Sequence, residues 1–184
     1  LENRTDIARL RLFAGIGTVS DAMPLVHDNR QLVRDAITLL RLCYMNGDRW
    51  LIDSLTGHPA YIQAFAGAHA AMKALADAGK IRSADDIDEG TIGFYLAPAF
   101  NSVKRMDGDL SRVFGVFLGF NGEEDMQYLL DLNAERREKS QEAWDELLCT
   151  GGPYQPFASL TEAPSGLLGL LAGRMLEQTG EPCV

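Results

Sequence analysis

Apolar positions along this chain recur with two different periods. Leu32, Val33, Ala36, Ile37, Leu39 and Leu40 follow helical spacing beneath Arg30, Arg34 and Asp35, which predicts a helix over 29–40. A longer helix is predicted from Pro59 to Ala78, with Ile62, Phe65, Ala68, His69, Met72, Leu75 and Ala76 on one face. Pro59 suits its first position and Gly79 its end. Between these helices, two apolar runs, 42–45 and 49–53, flank Asn46-Gly47-Asp48, the turn chemistry of a β-hairpin. On that reading Trp50 and Ile52 share the buried face of a strand, and Leu51 points the other way.

The remaining segments extend the mixture. Residues 4–14 fit either a short helix or a strand through Leu10 to Phe13. A polar connection over 80–89 leads to a further strand element from Thr91 to Leu96, broken by Pro98. The run 113–120 is continuously apolar and rich in β-formers, which predicts a buried strand. Asn121 can cap the next helix, Glu123, Glu124 and Asp125 suit its first turn, and the pattern continues from Met126, Leu129 and Leu130 to Trp144, Leu147 and Leu148. A last helix over 164–178 presents Leu167, Leu168, Leu170, Leu171, Met175 and Leu176. The expected fold class is α+β: a small mixed sheet with a hairpin from Leu42 to Asp53, packed by several helices, and a helical C-terminal part. The expected organisation is an α/β core over 1–120 and a helical extension over 121–184 packed on it.

Composition narrows the function classes. With 26 acids against 17 bases, the formal charge of -9 opposes general attraction to nucleic acid or anionic membranes, so any DNA contact should be local. The absence of a charged and apolar leader and of a membrane-length apolar run predicts a cytoplasmic protein without membrane insertion. Leu1 leaves room for an earlier segment. Cys43, Cys149 and Cys183 show no Cys-x-x-Cys spacing, which favours reduced thiols over disulfides or a zinc site.

The predicted strand ending in Asp53 runs through Ser54-Leu55-Thr56-Gly57-His58 into the helix at Pro59. A helix N-terminus offers unpaired amide donors and positive dipole charge, and Gly57 permits close approach of a ligand, so Ser54, Thr56 and Gly57 are candidate phosphate-binding residues. His58 is the candidate general base and Asp53 its orienting acid. The bland alternative is an ordinary strand-to-helix turn with His58 as a cap. The order of a helix, a hairpin, a strand ending in an acid and a glycine-led turn into a helix resembles the ParB/sulfiredoxin fold. The resemblance runs from Leu32 through Arg49-Trp50-Leu51-Ile52-Asp53 to Gly57-His58. It implies nucleotide or nucleic-acid phosphate binding, with ATP and magnesium as cofactors, and ATP hydrolysis or DNA cleavage as the enzymatic activities. Among members of this fold, plasmid fertility-inhibition factors of the oncogenic-suppression type are similar in length. That likeness implies interference with plasmid or T-DNA transfer, with a partner in a conjugation or secretion apparatus. The chain departs from the pattern in having His58-Pro59-Ala60 where members carry arginine or a reactive cysteine, which argues against a sulfinic-acid reductase.

Other candidates are weaker. His69 falls on an apolar helix face, where a hydrogen-bonded core histidine is expected, and His27 stands apart. Asp85, Asp86, Asp88 and Glu89, with Asp107 and Asp109, lack calcium-loop spacing and read as solvated surface, so no metal ligands are assigned. Gly15-Ile16-Gly17 lacks full dinucleotide or P-loop spacing. Lys104, Arg105 and Arg112 form a basic patch that suits a small phosphate contact. The competing reading is a non-catalytic acidic inhibitor or adaptor that covers a basic partner protein.

Overall fold

The computed structural model describes residues 2–55, 60–118, 121–149 and 161–181. Among these no strand occurs. The helices are α1 (Glu2–Ser20), α2 (His27–Leu55), α3 (Ala60–Asp77), a single turn α4 (Glu89–Thr91), α5 (Ala97–Arg105), α6 (Ser111–Leu118), α7 (Gly122–Cys149) and α8 (Ser165–Thr179). The expected α+β fold is therefore wrong, and its errors share a cause.

The hairpin from Leu42 to Asp53 is the second half of α2. Val33, Ala36, Leu40 and Cys43 are all buried, so the helical period passes through the first supposed strand without a break. Asn46 and Gly47 are poor helix formers, costing together about 1–2 kcal/mol relative to alanine, and helix packing overrides a penalty of that size. The supposed strand at 113–120 is helical over Ser111–Leu118. Val116 and Phe117 are buried side by side while Phe114 and Leu118 are exposed, a pattern that a period of two cannot give. Residues 91–96 are also helical, with Ile92–Leu96 wound as a π turn in which the amide of Ala97 donates to the Ile92 carbonyl. Pro98 does not break this segment. It stands in the first turn of α5, where its missing N–H costs least.

One core gathers Leu12 and Ile16 of α1, Ala36 and Leu40 of α2, Phe65 and Met72 of α3, Leu96 with Ala99 and Val103 of α5, Val116 of α6 and Leu129 of α7. A second, smaller cluster joins Ala143, Trp144 and Leu147 of α7 to Leu171 and Met175 of α8. Arg174 stacks on the Trp144 ring with its guanidinium carbon 4.4 Å from the centroid, and donates to Gln141 at 3.0 Å. Helix backbones touch where a glycine removes the side chain. A Cβ on Gly67 of α3 would overlap the Val116 carbonyl, and one on Gly122 would come within 2.6 Å of the Gly67 nitrogen. Gly15 sits in the same way against Leu32, and Gly166 of α8 against the backbone of Arg105. Gly15 thus serves helix packing. Cys43 is buried and its thiol pKa is pushed up to about 12 by that burial, whereas Cys149 is exposed; both are free.

Three of the described helices end in the same hydrogen-bond pattern with different residues at the left-handed position, α5 among them with Asp107 (φ 51°) and the Gly108 amide on the Val103 carbonyl at 2.8 Å. At the end of α3, Gly79 (φ 66°) is followed by Lys80, whose amide reaches the Leu75 carbonyl at 2.9 Å. At the end of α1, Ala22 (φ 51°) holds the equivalent place and the Met23 amide reaches Thr18 at 3.0 Å. A left-handed alanine is strained by roughly 1 kcal/mol where glycine is not. Ala22→Gly should therefore raise the unfolding free energy by about 1 kcal/mol in urea titration, and Gly79→Ala should lower it by a similar amount. An Ala22→Gly protein less stable than its parent would contradict this account of the turn.

A candidate anion-binding cleft

A cleft of about 230 Å³ opens where α1, the π turn, α5, α7 and α8 converge. Val19 and Ser20 come from the last turn of α1, and Gly93 from the π turn. Ala97, Pro98, Asn101 and Arg105 line it from α5, Arg136 from the middle of α7 and Leu170 from α8. Spacing explains why these residues meet: 93, 97, 101 and 105 fall every four residues on one helix face. Gly93 leaves that face open toward Val19, and Gly166 lets α8 approach the end of α5 closely enough for Leu170 to close one side.

Two arginines give the cleft a cationic lining. Arg136 donates its Nε to Asn133 at 3.0 Å. Burial first, then the Arg105 and Arg137 cations, pull its pKa below the ordinary arginine value. For a base, that direction means the charged form is less favoured in the folded chain than in the unfolded one. Where arginine is protonated, that difference counts against the folded state for the charge of Arg136 alone, beside the hydrogen bond its Nε makes. Among the described residues no carboxylate pairs with Arg105 or Arg136. Elsewhere the chain's acids do find arginines: Arg11 with Asp35, and Arg112 with Asp125 at 2.7 Å.

The residues expected to form the site fall elsewhere. Asp53 and Ser54 lie in the last turn of α2, not at a strand end, and their side chains are outside the described set. Thr56, Gly57, His58 and Pro59 lie outside the described residues. His69 donates its Nδ1–H to the Cys43 carbonyl at 2.9 Å, as a core histidine does. The acids act as caps: Asp86 accepts from the Arg82 amide at 2.7 Å, and Asp88 accepts from the Thr91 amide at 2.9 Å. Asp109 accepts from the amide and hydroxyl of Ser111, and these bonds, the hydroxyl first, hold its pKa below the usual carboxylate value. Of the basic patch, Arg105 faces the cleft, while Arg112 is engaged by Asp125 and lies over the Tyr128 ring. Sequence reasoning missed Arg136, because only the packing of α7 on α5 brings it beside Arg105.

No protein-family model and no curated protein matches the chain. Solved structures do. A manganese-bound exonuclease RecJ aligns over 95% of this chain and 39% of its own, with 22% identity and a TM-score of 0.66. RecJ of Thermus thermophilus aligns in its Mn2+ complex over 96% of this chain and 24% of its own, with 22% identity and a TM-score of 0.67. Its Mg2+ complex gives 96%, 25%, 21% identity and 0.66. The chain spans between a quarter and two-fifths of these proteins, and what it shares with them is a fold. That likeness, with the absence of strands among the described residues, overturns the ParB/sulfiredoxin resemblance and removes the support for ATP and for transfer inhibition. The neighbours' metals can be tested against this chain's own donors. Among the described residues no three His, Cys, Asp or Glu side chains converge, so these residues do not build a metal centre. No described helix is long and apolar enough to cross a membrane.

An unpaired arginine couple predicts a measurable trade. In low-salt buffer, inorganic pyrophosphate should raise the melting temperature of the chain by mass action. Arg105→Gln should melt at or above the parent without pyrophosphate and lose most of the rise with it. An equal rise in both proteins would remove Arg105 from the site.

Proposed function

We propose that this chain is a nucleic-acid-binding part of a RecJ-like nuclease and that the cleft at Arg105 and Arg136 holds backbone phosphate of the bound strand. The observation that carries the reading is the pair of arginines facing one cleft without a carboxylate partner among the described residues, in a chain of net charge -9. A chain so acidic repels polyanions at long range, so binding must come from local, partly desolvated cations. Two guanidinium groups with Asn101 and Ser20 beside them supply the forked donors that suit phosphate oxygens. Likeness to RecJ exonucleases supports the same reading. The role assigned to this chain is to bind and orient the strand. No hydrolytic step is assigned to its residues, since those described do not gather a metal ion.

Fluorescence anisotropy with a labelled oligothymidylate provides the test. Arg105→Glu should weaken binding by roughly tenfold or more, the loss of a charge-assisted contact plus repulsion. Lys104→Glu changes the net charge equally from an exposed position that does not line the cleft, and should have a much smaller effect. Equal losses in the two variants would reduce the interaction to general electrostatics and sink the reading.

A further inference from the structure

Four polar side chains are buried among the described residues: Thr91, Ser102, Asp125 and Asn133. Three of them close bonds that hold the fold. The Thr91 hydroxyl donates to the Asp86 carbonyl, the Ser102 hydroxyl donates to the Ala99 carbonyl, and Asp125 pairs with Arg112. Asn133, only 6% exposed, bonds instead to a residue of the cleft. It stands three residues before Arg136 on α7, a spacing that makes the two side chains neighbours on one helix face, and its amide accepts from Arg136 Nε at 3.0 Å. Arginine Nε is a donor only, so the atom facing it is the amide carbonyl oxygen.

The chemistry of that acceptor decides what the arginine can do. A guanidinium carries five N–H donors in a planar fork, and Nε–H is one of them. With Nε held by Asn133, the edge left for a ligand is the pair of terminal nitrogens. A neutral amide also holds the group without cancelling its charge. Arg112 shows the other arrangement: its partner Asp125 is a carboxylate at 2.7 Å, with Asp109 and Glu124 within 4.0 Å. The acids nearest Asn133 in sequence are engaged away from it, Glu135 with Lys139 at 2.7 Å and Asp131 with Gln127 at 2.8 Å.

We propose that Asn133 is the positioning residue of the cleft: it fixes Arg136 by Nε, so that the guanidinium keeps its charge and meets a phosphodiester end-on through its two terminal nitrogens. Two non-bridging oxygens of one phosphate match that edge. The proposal rests on the cleft reading and deepens it, because it states how the site takes its ligand. Asn133 acts through Arg136 and does not itself line the cleft.

The test measures oligothymidylate binding and thermal melting on the full chain. Asn133→Asp keeps the shape of the side chain and puts a carboxylate at Nε. It should melt no lower than the parent, since Arg136 gains an ion pair, yet bind roughly tenfold more weakly, since the charge offered to phosphate is cancelled. Asn133→Ala should weaken binding by about threefold or more in the parent and by nothing further in the Arg136→Ala background, because its influence runs through that side chain. An asparagine that only supports the fold would weaken both backgrounds by the same factor, and that result would overturn the proposal. So would parent-like binding by Asn133→Asp, which decides alone if Asn133→Ala does not fold. If Arg105→Glu and Arg136→Ala weaken binding while both Asn133 variants bind as the parent does, the cleft reading survives without the positioning residue. If the parent does not bind, or neither arginine matters, both fall.

Discussion

Backbone-to-backbone contact between helices is the constraint on which this structure depends. Gly67 of α3, Gly122 at the start of α7 and the Val116 carbonyl of α6 meet with no room for a Cβ, which fixes three helices at a distance that other residues do not allow. Glycine inside a helix costs about 1 kcal/mol, and the dispersion attraction between closely packed helices must offset it. The consequence reaches the cleft. α7 carries Arg136 about four turns beyond that contact, and Gly166 against Arg105 sets where α8 places Leu170. The site is therefore made by tertiary packing of five elements and by no contiguous motif.

That distinction decides what could be read from the sequence. Regular amphipathic helices were legible. Phe65, Ala68, Met72 and Leu75 are buried as their spacing requires, Gly79 ends α3, and α7 and α8 fall within a residue or two of their expected limits. Segments whose local chemistry favours strands or turns misled. Asn46-Gly47 and the run from Val113 carry strong β signals, yet each lies in a helix held by its neighbours. Short apolar runs do not separate a strand from a buried helix turn by periodicity alone. A strand-to-helix junction attracts a phosphate-site reading because it offers local amide donors. The cleft instead draws its cations from positions 105 and 136, which no local pattern links. Arg105 was visible as part of a basic patch, and Arg112 in the same patch proved to be committed to Asp125.

The acidic balance of the chain and its cationic cleft are compatible because they act at different ranges. Exposed charges separated by more than a Debye length of about 10 Å are screened at moderate salt, so the many surface acids weaken association without cancelling a partly buried pair. The same burial that lowers the Arg136 pKa strengthens its attraction for an anion that displaces water.

Backbone amide NMR during titration with a short oligothymidylate tests the central claim most directly, because it locates the ligand without assuming an activity. The account predicts saturable shifts concentrated at Ser20, Gly93, Asn101, Arg105, Arg136 and Leu170, from five elements that only the packed fold brings together. Shifts confined to another surface, such as the Lys80 to Arg82 segment, with the cleft amides unmoved at saturation, would contradict it.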